Sequence, residues 1–185
     1  MRLFVALVPP PAVRSQLGEF IDELRPLAGR ASWVAPENLH ITLQFLGDLE
    51  ESRLAQIAHI CATVAAAQEA LLLSTTGLGC FPPRGQPRVL YLATDQQQPL
   101  GTLARALAAQ LQPCGFNLPA RFHSHLTLAR LKKTEDPHRR RKLLAFNAPK
   151  SSFRLSELVL LRSTLTARGP RYDPVQRCPL RSSRG

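Results

Sequence analysis

Two four-residue segments of this chain carry the same alternation, His40-Ile41-Thr42-Leu43 and His125-Leu126-Thr127-Leu128. Successive side chains of a strand point to opposite faces, so each copy sets an imidazole and a hydroxyl on one face and two aliphatic residues on the other. The aliphatic face is the natural core face, which leaves the polar one for solvent or chemistry. A single His-x-Thr strand means little; two with matching surroundings constrain the fold. Arg2-Leu3-Phe4-Val5-Ala6-Leu7 resembles Arg88-Val89-Leu90-Tyr91-Leu92-Ala93. Arg2 stands 38 positions before His40 (40 − 2), and Arg88 stands 37 before His125 (125 − 88). Each interval holds one amphipathic segment of helical period. Both halves therefore read strand, helix, His-x-Thr strand. The expectation is two copies of one α+β unit packed face to face, with the histidines related by a pseudo-dyad and converging on one cleft.

At 185 residues the chain suits one unit, 1–185, made of two pseudo-repeats at about 1–87 and 88–185, with roughly 70% of the unfolded surface buried. Helices are expected near Ala12–Leu27, Glu51–Ala67 and Pro99–Leu111. Strands are expected at Arg2–Val8, Ser32–Val34, Leu39–Leu46, Ala70–Leu78, Arg88–Ala93, the second motif, Phe153–Arg162 and Tyr172–Leu180. Many strands separated by helices, with hairpin-like spacing near the C-terminus, favour antiparallel sheets. The apolar start, Leu3 to Val8, is too short to span a membrane and is broken by Pro9, Pro10 and Pro11. The four cysteines, Cys61, Cys80, Cys114 and Cys178, are far apart and contain no Cys-x-x-Cys. Reduced thiols and a cytoplasmic location are expected, with no zinc knuckle and no disulfide framework.

Charge is placed unevenly. Up to Leu118 there are 8 Lys/Arg against 9 Asp/Glu, and after it 16 against 4, a balance of −1 followed by +12. Part of that excess is ordinary solvated surface; the rest fits a polyanionic partner such as RNA. The densest run, His138-Arg139-Arg140-Arg141-Lys142, is expected in a loop or frayed helix.

Two imidazoles in one cleft suit concerted acid–base chemistry, because one can accept a proton while the other donates one. Phosphodiester cleavage requires both acts. Thr42 and Thr127, two residues along on the same faces, can hold non-bridging phosphate oxygens where charge accumulates. His123 shares a face with His125 and is placed in the same cleft. His123, His125 and His40 would supply three metal ligands. Yet no Asp or Glu lies near either active face, and hard divalent metals want carboxylates, so neither metal nor other cofactor is expected. Ser124 alternates onto the opposite face and is no candidate nucleophile.

These motifs are similar to the paired His-x-Thr-x motifs of the two-histidine phosphoesterase superfamily, and within it to the RNA 2′,3′-cyclic phosphodiesterases, also called 2′-5′ RNA ligases. The likeness extends over Asn38-Leu39-His40-Ile41-Thr42-Leu43-Gln44-Phe45-Leu46-Gly47 and Phe122-His123-Ser124-His125-Leu126-Thr127-Leu128-Ala129-Arg130. It includes Arg168-Gly169-Pro170-Arg171-Tyr172-Asp173-Pro174 and spans nearly the whole chain. One departure is Ser124, where the family often has proline. The resemblance implies a bilobal α+β fold, an antiparallel sheet flanked by helices in each lobe, and an active-site groove between the lobes. It also implies metal-independent hydrolysis of an RNA 2′,3′-cyclic phosphate to a 2′-phosphomonoester, with reverse 2′-5′ ligation as the accompanying activity. By the resemblance His40 is the general acid, His125 the general base, and Thr42 and Thr127 hold the phosphate; pseudo-symmetry alone does not choose between the histidines.

Phe45 resembles the position that stacks on the nucleobase, and Arg130 a recurrent substrate arginine. Strict alternation places both on the face opposite their histidines, so each needs a bulge or a strand end to reach the groove. Arg121 has the right parity and is the further substrate-binding candidate. The partners implied are RNA 2′,3′-cyclic phosphate ends or 2′,3′-cyclic nucleotides, with no membrane and a monomeric protein. Two alternatives stay open: another nucleotide phosphodiester, such as a cyclic ADP-ribose phosphate or a 2′-5′ oligoadenylate, and a non-catalytic nucleotide-binding module of the same fold.

Overall fold

Apolar alternation in the first strand, Arg2–Leu7, buries Leu3, Val5 and Leu7 beneath helices and turns Phe4 and Ala6 the other way. That division recurs throughout the computed structural model, which describes residues 1–28, 30–119, 121–132, 137–167 and 169–182. In order the elements are β1 (Arg2–Leu7), α1 (Pro11–Ala28), β2 (Ala31–Trp33), β3 (Ile41–Asp48), α2 (Leu54–Ala67), β4 (Leu71–Phe81), β5 (Val89–Thr94), α3 (Gln97–Leu111), β6 (His125–Leu131), α4 (Pro137–Leu144), β7 (Ser152–Leu155), β8 (Glu157–Thr166) and β9 (Gly169–Pro179). The expected helices are all present, α2 being preceded by a 3₁₀ turn at Glu51–Arg53. The basic run lies in α4, which packs on α1 and buries Leu143. The side chains of His138, Arg139 and Arg140 lie outside the described residues, as does Arg168.

The strands form two antiparallel sheets, ordered β3-β1-β8-β9 and β2-β6-β5-β4-β7. This is the expected α+β class. The sheets do not follow the sequence halves, however. β2 and β4 leave the first half to pair with β6 and β5, and β8 leaves the second half to pair with β1, taking β9 with it. The run expected as a single strand, Phe153–Arg162, is two strands in different sheets, with the change at Ser156. Phe153, Leu155, Leu158 and Leu160 all enter the same core, so the apolar pattern runs on across the switch.

The matching of Arg2 with Arg88 also needs correction. Ala6 pairs with Thr42, and Tyr91 pairs with Thr127, so both strands of each pair repeat at an offset of 85 (91 − 6 and 127 − 42). Arg88 lies 86 positions after Arg2 (88 − 2), one residue out of step. The difference between spacings of 38 and 37 is that slip.

Candidate active site

β3 and β6 adjoin across the line where the sheets meet, and each delivers its motif from the first residues of the strand. His40 stands just ahead of β3, and His125 opens β6. Each ring is tied back in the same way. His40 Nδ1 lies 2.6 Å from the Asn38 carbonyl oxygen, and His125 Nδ1 lies 2.7 Å from that of His123. A carbonyl only accepts, so Nδ1 carries the hydrogen in both rings, and Nε2 is left to take or give a proton. The geometry is pseudo-symmetric, as the repeat requires.

Behind each imidazole stands a pair of aromatic rings. His40 lies 4.9 Å from the Phe4 ring and 5.2 Å, edge-on, from Tyr172. His125 lies 5.1 Å from Phe81 and 5.3 Å from Tyr91, which stack on each other at 4.4 Å. These walls strip water from the imidazolium, so burial lowers both pKa values. His40 falls to about 4, burial outweighing the Asn38 hydrogen bond that favours the charged form, and a positive charge on His125 lowers it further. His125 is also lowered: burial outweighs the hydrogen bond to the His123 carbonyl, which favours the charged form, and a positive charge on the His123 ring lowers it further. A neutral-pH pair with one ring charged is thus not the resting state: both rings rest neutral.

Sequence reasoning did not single out the aromatic walls, although Phe4 and Tyr91 are the sole aromatic residues of β1 and β5. Their enabling feature is Gly79. A Cβ there would come within 2.5 Å of the Tyr91 hydroxyl oxygen, so only glycine lets the ring lie across β4. Gly79→Ala is expected to cost about 1–3 kcal/mol by overpacking and, by displacing the wall behind His125, up to about 10²-fold in turnover. The double variant Gly79→Ala/Tyr91→Leu should regain the melting temperature and not the turnover. Recovery of both in thermal and kinetic assays would show the wall to be packing alone.

Thr42 and Thr127 are half-buried on the histidine faces, as alternation requires. Strict alternation then ends, at the same place in both copies. Leu43 and Gln44 together oppose Val5, and Leu128 and Ala129 together oppose Leu90; in each pair both residues are buried. These are β-bulges, and an extra residue reverses the parity of everything after it. Phe45 and Arg130, each five residues beyond its histidine, consequently turn to the groove side. This corrects the placement that unbroken alternation gives them. Phe45 is 67% exposed, with its ring 6.0 Å from Phe4. Arg130 is exposed and lies close enough to Tyr172 of the other sheet for its charge to oppose, without cancelling, the burial that pushes the Tyr172 phenol up. Gln44, turned inward by the bulge, donates to the Ala104 carbonyl at 2.9 Å and so ties β3 to α3.

The remaining candidates divide. His123 is exposed, with its ring 6.1 Å from that of His125 against the same two aromatics. Arg121 is exposed in the segment before β6, so the strand register that gave it parity does not reach it. Ser124 is wholly buried; its hydroxyl meets that of Thr94 at 2.7 Å and its backbone bonds Gln97 in both directions. It anchors the start of β6 instead of doing chemistry. Cys61, Cys114 and Cys178 are unbridged thiols, and among the described residues no three His, Cys, Asp or Glu side chains converge as a metal site. No helix among those residues is long and apolar enough to cross a membrane.

A two-sheet α+β frame with one His-x-Thr strand from each sheet is the architecture of the two-histidine phosphoesterases. The sequence profile of the 2′-5′ RNA ligase superfamily matches residues 9–166. This chain belongs to that family. It is 31% identical over 180 residues to the RNA 2′,3′-cyclic phosphodiesterase of Thermotoga maritima, covering 96% of this chain and 95% of the relative. It is 32% identical over 177 residues to the protein of the same name from Archaeoglobus fulgidus, with 95% and 98% covered. Among solved structures it superposes on a protein of Thermus thermophilus with a TM-score of 0.82, at 29% identity over all of both chains. It superposes on E. coli LigT complexed with 3′-AMP with a TM-score of 0.77, at 28% identity and 97% of each chain.

Proposed function

We propose that the protein hydrolyses RNA 2′,3′-cyclic phosphate ends to 2′-phosphomonoesters, with His40 as general acid and His125 as general base. The observation that carries this reading is the matched pair of histidines, each fixed through Nδ1 to a backbone carbonyl so that only Nε2 is left to react. His125 Nε2 takes a proton from water as its oxygen bonds to phosphorus. The negative charge of the bound phosphate raises the proton affinity of His40, which takes up a proton from solvent on Nε2. As the P–O3′ bond breaks, the imidazolium gives that proton to O3′ and returns to its neutral Nδ1–H form. Solvent then takes the proton from His125. The hydroxyls of Thr42 and Thr127 donate to the non-bridging oxygens, where charge gathers. An RNA 5′-hydroxyl in the place of water gives a 2′-5′ joined product by the same proton transfers. Phe45, on the groove side beyond Thr42, offers its face to the terminal base, and Arg130 reaches over the same region to the phosphate.

The reaction is tested with 2′,3′-cyclic AMP and with an oligonucleotide ending in a cyclic phosphate, separating 2′- from 3′-phosphorylated products. The 2′-phosphate alone is expected. A 3′-phosphate would mean that the departing oxygen is O2′, and no turnover of either substrate would leave only a binding protein or a different phosphodiester.

Chelation by EDTA is expected to leave the rate unchanged, because the proton carriers are two imidazoles and neither motif strand presents a carboxylate beside them. Loss on chelation followed by recovery with one divalent metal would overturn that.

A further inference from the structure

A cavity of about 500 Å³ opens beside His40, and neither Thr42 nor Phe45 lines it. Val8, Val159, Leu161 and Tyr172 line it with apolar surface, and Val159, Leu161 and Tyr172 belong to the small apolar cluster on the groove face. Three arginines also line it: Arg14 of α1, Arg154 of β7 and Arg177 of β9. Two carboxylates are present as well, of which Glu157 is ion-paired with Arg177. Arg14 donates from Nη1 to the Glu37 carbonyl at 2.8 Å, while its Nε is buried without a hydrogen-bond partner among the described residues. A buried guanidinium nitrogen with no acceptor is costly unless a ligand supplies one.

The chemistry says which part of a substrate meets this cavity. Displacement at phosphorus is in line, so water enters from the His125 side and the departing O3′ lies toward His40. O3′ belongs to the terminal ribose, which therefore sits on the His40 side. Its base can turn to Phe45; its 5′ continuation then runs the other way, past His40. We propose that the cavity beside His40 receives the nucleotide immediately upstream of the cyclic phosphate, with its phosphates on Arg14, Arg154 and Arg177. This rests on the acid role given to His40 above. It also moves the recognition of the RNA chain away from the basic run of α4 and onto arginines drawn from both halves of the sequence.

The test compares a cyclic-phosphate-ended oligonucleotide with 2′,3′-cyclic AMP, which has no upstream phosphate. In Arg154→Ala, in Arg177→Gln and in Ser156→Trp, which places an indole at an exposed position of the cavity wall, the ratio of kcat/KM for oligonucleotide over mononucleotide should fall about tenfold, as loss of one charged hydrogen bond implies. Affinity for a 3′-phosphorylated oligonucleotide, read by fluorescence anisotropy, should fall likewise, and the arginine variants should show a salt slope about 0.7 shallower for each phosphate they no longer neutralise. An unchanged ratio with unchanged affinity overturns the proposal, as does an equal loss on both substrates. If the wild-type protein turns over neither substrate, the reading of the reaction fails. The anisotropy of the same variants then decides the cavity by itself: equal affinity sinks it, and a tenfold loss sustains it as a strand-binding site.

Discussion

Alanine at His40 or at His125 is expected to lower kcat/KM by about 10²–10⁴-fold each, the usual weight of a positioned proton carrier. The two losses should not multiply in the double variant, because acid and base act in one concerted step. Neither side chain belongs to the main core: His40 leans on Phe4 and Tyr172 in the groove, and His125 on Phe81 and Tyr91. Folding should therefore persist, and circular dichroism with a thermal melt on each variant checks it. More than about a tenth of the wild-type activity in a folded variant would be too small a loss for general acid–base catalysis. The roles separate with a p-nitrophenyl phosphodiester, whose leaving group departs without a proton. This substrate should restore much of the rate to His40→Ala and little to His125→Ala. Rescue in the reverse order would exchange the acid and the base.

The pH dependence should differ between kcat/KM and kcat. Free imidazole titrates near 6.5; burial lowers both rings, His40 to about 4. In the free protein His40, the proposed acid, is therefore already deprotonated at neutrality, and kcat/KM, which reports free enzyme, should peak on the acid side of 6.5 and decline through neutral pH. A bound cyclic phosphate carries a negative charge between the rings. An anion favours imidazolium and raises both pKa values, so the high-pH limb of kcat should lie above that of kcat/KM. Because each ring feels the other's charge, the apparent values belong to the pair. Rate profiles over a broad pH range decide the matter: a kcat/KM optimum above neutrality, or coincident limbs in the two profiles, would show that burial does not govern the acid.

The four residues to which the chemistry is assigned above were legible because period-2 alternation and duplication are local signals. His40, Thr42, His125 and Thr127 needed only their own neighbours to be placed on one face of a strand each, and the repeat to be brought together. The helices were legible for the same reason. Phe45 and Arg130 were harder. Their side of the sheet depends on one extra residue in each strand, Gln44 and Ala129 completing the bulges, and a bulge is defined by the partner strand opposite it. Local sequence carries no record of which residues will share a partner.

What the amino-acid sequence determined by itself is the α+β class, the duplicated motif, the two histidines and their hydroxyl companions, each carried by spacing along a single strand. Tertiary structure alone decided the rest. It sent β2 and β4 to the sheet of the second motif and β8 and β9 to that of the first, since both halves bury into one core and apolar periodicity does not name the sheet that receives it. It tied each Nδ1 to a carbonyl and walled each ring with aromatics from other strands, among them Tyr172, 132 positions after His40 (172 − 40). Those walls set the proton affinities. Desolvation is a property of everything within a few ångströms of a ring, and most of what lies there arrives from distant parts of the chain.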